Sequence, residues 1–234
     1  MVRDTLTQEQ IVNAAIDLLD SEGLEGLSMR VLGERLGSAA TAGYWHIGNK
    51  ENLIILAGDL VWKEVVLPDL IAVDWRTAAT VMASGMYDML TRHLWLVQAF
   101  GSYMIYGPAK ARHDDHCLAV FEKAGFTGKQ ADLATASVFI FVLGNALGPA
   151  AAASFERKLR KQGGNAKKLL RERTSKAREI AAQFPHLRER LETSATDYAA
   201  APQNSFEFGL QAILDGIECQ LVTDGKALPT PSAN

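Results

Sequence analysis

The sequence has little cysteine and no excess of positive charge. Its two cysteines, Cys117 and Cys219, lie too far apart for a metal-binding or redox motif. Such sparse use of cysteine fits a reducing compartment, so we expect a cytoplasmic protein. The formal net charge is −3, and a nucleic-acid partner therefore has to be argued from local features rather than from overall charge.

Signals for strands, export and membrane insertion are also weak. No segment alternates between apolar and polar residues for long enough to predict a hairpin, and the polar N-terminus lacks the apolar core of a signal peptide. The longest apolar stretch, residues 134–155, contains Thr135, Ser137 and Asn145 and has charged residues on both sides. It predicts a buried or interface helix rather than a membrane span, so we expect no membrane partner.

Helical periodicity dominates what remains. Thr7 and Gln10 have the spacing of a capping box, and apolar residues then recur at helical spacing as far as Gly23, which we expect to end the first helix. Ser28 is placed to cap a second helix, which ends at Gly37. The later predicted helices are 39–45, 50–66, 75–93, 94–106, 108–125, 130–162, a charged helix ending at 183, 185–198 and 204–221.

This pattern predicts an all-α fold with two parts. A three-helix helix-turn-helix head occupies residues 1–50, and helix 50–66 links it to a larger helical body at residues 67–224. The proline-containing residues 225–234 predict a disordered tail. No internal repeat is present.

The region from Gly37 to Lys50 has the layout of a DNA-reading helix. In a helix-turn-helix the second helix enters the major groove, which requires a tight turn and small residues such as those at 37–41. Thr41 offers a hydroxyl and a methyl group to a base edge, and residues 44–46 carry hydrogen-bond donors on rigid rings. Lys50, at a helix N-terminus, combines a cation with free backbone N–H groups, which suits a phosphate.

The same region resembles the DNA-binding head of the tetracycline-repressor (TetR) family of bacterial transcriptional regulators. The matching strings are Leu27-Ser28-Met29-Arg30, Leu36-Gly37, Tyr44-Trp45-His46 and Asn49-Lys50. The resemblance implies binding to a double-stranded, pseudo-palindromic operator. It assigns phosphate contacts to Tyr44, His46 and Lys50. Ser28 and Arg30 are expected to support or touch the DNA backbone, and Ala40, Thr41 and Trp45 to face the groove.

Two features of the head depart from this pattern. Residues 1–50 hold four Lys or Arg against seven Asp or Glu, so the head is locally acidic. Gly43 stands where the family usually has a large apolar residue, and a glycine inside a helix costs about 1 kcal/mol relative to alanine. A ligand-binding helical module without operator binding therefore stays open as an alternative.

The body resembles the regulatory domain of the same family, through strings such as Phe184-Pro185-His186-Leu187 and Phe206-Glu207-Phe208-Gly209-Leu210. The resemblance implies a homodimer and a small organic inducer whose binding moves the two heads apart. Helix 130–162 carries small residues, and helix 204–221 carries apolar residues at helical spacing, so we expect these two helices to form the dimer interface. The function predicted is a ligand-responsive repressor and not an enzyme.

An adaptable and largely apolar ligand site is predicted within the body, because methionines recur on one face of helix 75–93 and aromatic residues follow on its neighbours. The candidate ligand contacts are Met82, Met86, Met89, Phe100, Tyr103, Met104, His116, Phe121, Phe139 and Asn145. Any one of them taken alone is more often a core residue than a ligand contact.

A magnesium–tetracycline chelate does not fit the residues at this site. Aligned from Trp75 with the tetracycline-binding members of the family, Met82 and Met86 stand at positions where those proteins have a polar and an aromatic ligand contact. Phe100 stands at the position of their metal-binding histidine. We therefore expect a more apolar organic ligand, with no cofactor and no metal.

Two other patterns allow different functions. The string His113-Asp114-Asp115-His116 suggests a metal-dependent all-α hydrolase, although the further ligands that such a site needs are missing and a solvated helix face is the simpler interpretation. Ten Lys and Arg residues lie between positions 157 and 178 and could form a second nucleic-acid patch. A solvated loop and helix within the body explains this run more simply.

Overall fold

The computed structural model describes residues 6–37, 47–161, 166–192 and 205–224. Within these ranges the chain is all-α, as predicted, and contains no strand. Its helices are α1 (Gln8–Gly26), α2 (Met29–Leu36), α3 (Lys50–Val61), α4 (Trp75–Arg92), α5 (Leu94–Ala99), α6 (Pro108–Ala124), α7 (Lys129–Lys161), α8 (Ala166–Ala181), α9 (Pro185–Glu192) and α10 (Ser205–Asp224). The predicted helix 39–45 and the predicted tail 225–234 lie outside the described residues.

The capping signals at the N-terminus are confirmed. Thr7 Oγ1 accepts a hydrogen bond from the Gln10 N–H at 3.2 Å, and Gln10 Oε1 accepts one from the Thr7 N–H at 2.8 Å. At Gly23 the backbone leaves helical geometry with φ of +71°, and one further turn carries α1 to Gly26. This positive φ favours a glycine, because residues with a Cβ rarely adopt it.

A single apolar core runs from the head into the body. Leu27 and Leu32, which flank the start of α2, are both buried, as expected for a hydrophobic staple. The core continues through α3 to the methionine face of α4 and to α7. Helix α7 packs against α4, α5, α6 and α10 and is therefore the central element of the body.

Two predicted helices are shorter than expected. The helix predicted at 50–66 ends at Val61 and tightens into a 3-10 turn, Trp62–Glu64. This turn places the buried Trp62 ring against His113 of α6, with ring centroids 4.6 Å apart. The helix predicted at 94–106 ends at Ala99, because the chain must turn to seat Ile105 against Gly58 of α3.

Candidate functional site

The helix preceding the predicted reading helix begins at a side-chain cap. Ser28 Oγ accepts a hydrogen bond from the Val31 N–H at 3.2 Å, and the hydroxyl can donate to a second partner at the same time. Arg30 lies on the surface in an ion pair with Glu34 at 2.6 Å. Because exposed ion pairs contribute little net free energy, Arg30 can exchange this carboxylate for a phosphate at small cost.

The start of α3 is fixed by two asparagines. Asn49 Oδ1 accepts a hydrogen bond from the Asn52 N–H, and Asn52 Nδ2 donates to the carbonyl of Ile47, both at 2.8 Å. Ile47 is buried, so it anchors the chain just before the helix. These contacts hold the N-terminus of α3, with Lys50 as its first residue, in a defined position.

Lys50 lies beside the interruption of α1. Its ammonium group donates a hydrogen bond to the carbonyl of Leu24 at 2.9 Å, one residue after Gly23. An ammonium group has three N–H donors, so this bond orients the cation without using all of them. The other predicted DNA contacts, Ala40, Thr41, Tyr44, Trp45 and His46, lie outside the described residues.

The body contains a cavity of about 550 Å³, a volume typical of small-molecule pockets. Its wall is mostly apolar and comes from α4, α6 and α7. Four of the predicted ligand contacts line it: Met82, Met86, Phe121 and Phe139. The other apolar lining residues are Ala79, Ala83, Leu118, Val120, Ala136, Val138 and Ile140.

Three predicted contacts are at least partly buried in the body but do not line the cavity. Phe100 packs edge-on against Phe139, with ring centroids 6.0 Å apart, and so lies one layer behind the lining residue. Met89 is buried in the core on α4, and Tyr103 is half-buried in the chain segment after α5. None of the three is among the lining residues.

The remaining three predicted contacts point elsewhere. His116 Nε2 lies 2.9 Å from the carbonyl of Pro68, and Asn145 donates to the carbonyl of Phe141 in its own helix at 2.8 Å. Met104 is 86% exposed. These side chains do not line the cavity of this single chain, and their contact with a ligand stays a prediction.

Part of the cavity wall is polar, and sequence reasoning missed most of these polar residues. Helix α6 brings Lys110, His113, Asp114 and Cys117 to the wall, and α7 adds Asp132 and Thr135. The available signal was helical spacing: counting back from Phe121 by four, seven and eleven positions gives Cys117, Asp114 and Lys110 on the same face. His116 lies five positions from Phe121, about 140° around the helix.

The polar groups on α6 form one hydrogen-bonded cluster. Lys110 Nζ forms an ion pair with Asp114 Oδ1, and His113 Nδ1 lies 3.4 Å from the same oxygen. The Lys110 ammonium also lies over the rings of Trp62 and Phe139, at 4.7 and 4.9 Å from their centroids. The cation is therefore enclosed by a carboxylate and two aromatic faces.

Burial and pairing set the charge states in this cluster. Burial raises the pKa of the Asp114 carboxyl, but hydrogen bonds from His113 and Lys110 outweigh it, so the pKa lies below its ordinary value of 3.8. Burial, with the nearby Asp114 charge, raises the pKa of the Cys117 thiol to about 12. At neutral pH the cavity therefore holds an ionised Asp114 and an unreactive thiol.

The string from His113 to His116 does not form a metal centre with its neighbours. His113 faces the cavity cluster, while His116 is held by the carbonyl of Pro68. Among the residues that the structure describes, no group of three or more His, Cys, Asp or Glu side chains is arranged to hold a metal ion. The arrangement thus gives no support to the hydrolase alternative.

A direct link joins the cavity wall to the helix that carries the head. The carboxylate of Asp59 on α3 accepts hydrogen bonds from the backbone N–H groups of Ala109, at 3.2 Å, and Lys110, at 2.9 Å. These are unpaired donors of the first turn of α6, where a carboxylate is favoured. Gly107 permits the close approach, since a Cβ there would lie 2.5 Å from Asp59 Cγ.

A second link joins α1 of the head to the start of α5. His93 is buried, and its two ring nitrogens lie 2.8 Å from Asp20 Oδ1 and 2.9 Å from Glu64 Oε1. Trp95 Nε1 donates to the same Asp20 oxygen at 2.8 Å, and Arg92 pairs with Glu64. Burial lowers the pKa of His93, but the two carboxylates outweigh it and raise the pKa above 6.5.

One face of α7 has no partner among the residues that the structure describes. Leu133, Ile140 and Leu147, spaced by seven residues, are each more than half exposed, with exposed Gly144 between them. On α10, Phe208 is 78% exposed. Among the described helices, α7 is also the one long and apolar enough to cross a membrane, with 22% of its apolar window buried.

The basic run begins at the end of α7, where Arg157 and Lys161 lie beside α1, and continues along α8. Helix α8 packs mainly against α7 and α9, and residues 171–180 are all exposed. Arg173 lies over the ring of Phe155, 4.8 Å from its centroid. Most of these cations therefore face solvent on the body rather than on the head, as expected for a solvated helix.

Comparison with known proteins supports both parts of the sequence interpretation. Residues 67–221 match the family described as tetracyclin repressor-like, C-terminal domain. The chain is 31% identical to the HTH-type transcriptional repressor DrrR1 of Streptomyces coeruleorubidus over 225 residues, which cover 92% of this chain and 78% of that protein.

Two further similarities agree with this match. An HTH-type transcriptional regulator of Saccharopolyspora erythraea is 34% identical over 140 residues, covering 60% of this chain and 59% of that relative. Among solved structures, ActR of Streptomyces coelicolor in complex with actinorhodin is 25% identical, with a TM-score of 0.66 and coverage of 92% of this chain and 98% of that chain.

Proposed function

The chain belongs to the TetR family of transcriptional regulators, and from this premise we propose that it is a cytoplasmic repressor released from its operator by a small organic ligand. The observation that carries the proposal is the Asp59 link between the linker helix α3 and the cavity wall. A ligand that displaces the first turn of α6 must move Asp59 with it or break both hydrogen bonds. Either response changes the position of the head relative to the body.

We propose that the DNA contacts are those that the resemblance assigns. Tyr44, His46 and Lys50 bind phosphate oxygens, Ser28 and Arg30 support or touch the DNA backbone, and Ala40, Thr41 and Trp45 face the major groove. The hydrogen bond from Lys50 to Leu24 supports this role, because it holds the ammonium group of the first residue of α3 in one position and leaves N–H donors for a phosphate. DrrR1 is described as a repressor, which favours repression over activation.

Operator binding is tested by the salt dependence of affinity. DNA from the regions flanking the gene is titrated with wild type and with Lys50→Met at several salt concentrations, with fluorescence anisotropy as the readout. Each lost phosphate contact should reduce the slope of log K against log salt by about 0.9. Lys176→Met, on the exposed face of α8, is the matched control and should leave the slope unchanged.

The outcomes separate the candidate functions. A reduced slope for Lys50→Met supports the head as the DNA-binding surface, whereas a reduced slope for Lys176→Met alone assigns DNA binding to the basic run on α8. An intact dimer that binds none of the flanking DNA would favour a ligand-binding module without operator binding.

We propose that the exposed faces of α7 and α10 form a two-fold interface with a second copy of the chain. An apolar stripe that runs over 15 residues of helix, Leu133 to Leu147, is about 21 Å long and suits a helix bundle between protomers. The same stripe accounts for the apolar character of α7 without a membrane, because its opposite face packs against α4, α5 and α6.

The interface is tested with Leu147→Glu, which puts a charge into the stripe without changing the cavity lining. Sedimentation velocity should show a dimer for wild type and a monomer for the variant, and operator affinity should fall by at least tenfold because two heads no longer bind together. Ile71→Glu is the control, since Ile71 is 95% exposed and lies outside the stripe. A dimeric Leu147→Glu would exclude this interface.

A further inference from the structure

We propose that the ligand of the cavity carries a protonated amine or another positively charged donor, which binds the carboxylate of Asp114. The inference rests on the proposed function in that it assigns the ligand's chemical class to the same cavity. It also refines the expectation of a largely apolar ligand, because the wall of this cavity includes charged side chains.

The cation in the wall is not available to a ligand. Lys110 forms an ion pair with Asp114 and lies over the rings of Trp62 and Phe139, and its side chain is only 9% exposed. An anionic ligand would have to compete with Asp114 for the ammonium group. The buried lysine therefore balances Asp114 and does not recruit an acid.

The carboxylate of Asp114 is more accessible to a ligand than the ammonium group of Lys110. The Asp114 side chain is 31% exposed, and both of its contacts, from Lys110 and His113, are made to Oδ1. Among the described residues no hydrogen bond is made to Oδ2. A partly exposed carboxylate oxygen of this kind can accept a charge-assisted hydrogen bond from a protonated donor, and such bonds are stronger than those from a neutral donor.

The charges of the lining residues also favour a cationic ligand. Besides the Lys110–Asp114 pair, the lining includes a second carboxylate, Asp132, on the exposed start of α7. No ion pair to Asp132 is found in the part of the chain that the structure describes. With one buried lysine against two carboxylates, the cavity lining has an excess of negative charge and attracts cations.

The rest of the wall specifies the body of the ligand. Met82 and Met86 on one side and Phe121 and Phe139 on the other offer sulfur and ring surfaces that adapt to flat aromatic systems. A cavity of about 550 Å³ accommodates several fused rings. The geometry therefore suits an aromatic amine whose rings lie among these four side chains and whose charge lies at Asp114.

The test uses two probes that share a ring system and differ in charge: 9-aminoacridine, a cation at pH 7.5, and acridine-9-carboxylate, an anion. Binding to the full-length protein is measured by fluorescence titration without DNA. Wild type should bind the cation at least tenfold more tightly, and Asp114→Asn should weaken that binding about tenfold, the usual effect of losing a charged hydrogen bond. Asp132→Asn should weaken it less.

Two further variants keep the result interpretable. Asp114→Asn leaves Lys110 without its counter-ion, so the double variant Lys110→Met/Asp114→Asn removes the pair together and should also lose cation binding. Asp115→Asn, exposed on the same helix and outside the cavity lining, should leave the affinity unchanged. Far-ultraviolet circular dichroism confirms that each variant is folded.

The proposal is overturned if the anion binds as tightly as the cation, if neither probe binds wild type, or if both variants of Asp114 keep full affinity for the cation. The DNA experiment with Lys50→Met contains no acridine, so a failure of operator binding is seen independently. Cation binding without operator binding would support the proposed ligand class and contradict the proposed repressor function.

Discussion

At the scale of single residues, His93 is the group whose protonation is most directly tied to the contact between head and body. It lies between Asp20 of α1 and Glu64 of the 3-10 turn, beside Trp95 of α5, while Arg92 of α4 pairs with Glu64. The raised pKa means that the folded protein binds this proton more tightly than the unfolded chain does.

The sign of the pH dependence follows from this shift. The imidazolium contributes its full stabilisation below the unfolded pKa of about 6.5, and the contribution is lost as pH rises through the higher folded pKa. We expect His93→Gln to lower the free energy of unfolding by about 1–3 kcal/mol at pH 6 and by less at pH 8.5, because hydrogen bonds to charged groups contribute about this much. Urea denaturation across this pH range measures it.

The control for this prediction is His186→Gln, which changes an exposed histidine on α9. Its free energy of unfolding should follow that of wild type at every pH. A His93→Gln variant whose deficit is constant from pH 6 to pH 8.5 would show that the imidazole acts as a neutral hydrogen-bonding group instead.

At the scale of helices, the contact between α3 and α6 depends on close approach at a glycine. The methyl group of Gly107→Ala would lie 2.5 Å from Asp59 Cγ, and Asp59 cannot move aside without losing its hydrogen bonds to Ala109 and Lys110. We expect a loss of about 1–3 kcal/mol in the free energy of unfolding, as for other overpacked sites, measured by urea denaturation.

A matched glycine separates this packing effect from helix propensity. Gly85 lies within α4, and a Cβ there would meet Val65 Cγ1 at an ordinary contact distance of 3.5 Å. Gly85→Ala should therefore leave the stability unchanged or raise it by up to about 1 kcal/mol. If Gly107→Ala is as stable as wild type, the Asp59 contact is looser than the structure indicates.

The helices also show what the sequence could predict. Caps at Thr7 and Ser28 are local hydrogen bonds between residues three apart, so their positions were predicted correctly. The early ends of α3 and α5 were not, because they depend on where Trp62 and Ile105 pack against distant helices. Local signals determine where these helices begin, whereas tertiary packing determines where some of them end.

The same distinction applies to the candidate site. Apolar wall residues such as Met82 and Phe139 were predicted from their type and helical spacing, since such residues must be buried somewhere in the body. The polar cluster was not predicted, because Lys110 and Asp114 belong to the cavity wall as an ion pair, and their pairing is seen only in the folded structure. A charged residue on an isolated helix is far more often solvated, and the sequence alone does not distinguish the two cases.

At the scale of the whole molecule, the exposed stripe on α7 makes stability depend on assembly. If Leu133, Ile140 and Leu147 are buried only against a second copy, unfolding of the dimer also separates its chains, and the melting temperature rises with protein concentration. A tenfold higher concentration is equivalent to about 1.4 kcal/mol per dimer. With an unfolding entropy of about 1 kcal/mol/K for two chains of this length, the expected rise is about 1–2 °C per tenfold.

This dependence is measured by calorimetry or circular dichroism over a hundredfold range of concentration, with Leu147→Glu beside wild type. The monomeric variant should melt at a lower temperature that does not change with concentration, because its unfolding produces one chain from one chain. Ile71→Glu, outside the stripe, should retain the slope of wild type. A wild-type melting temperature that stays constant over the range would show that the single chain is stable without a partner, and the two-fold arrangement of heads would lose its physical basis.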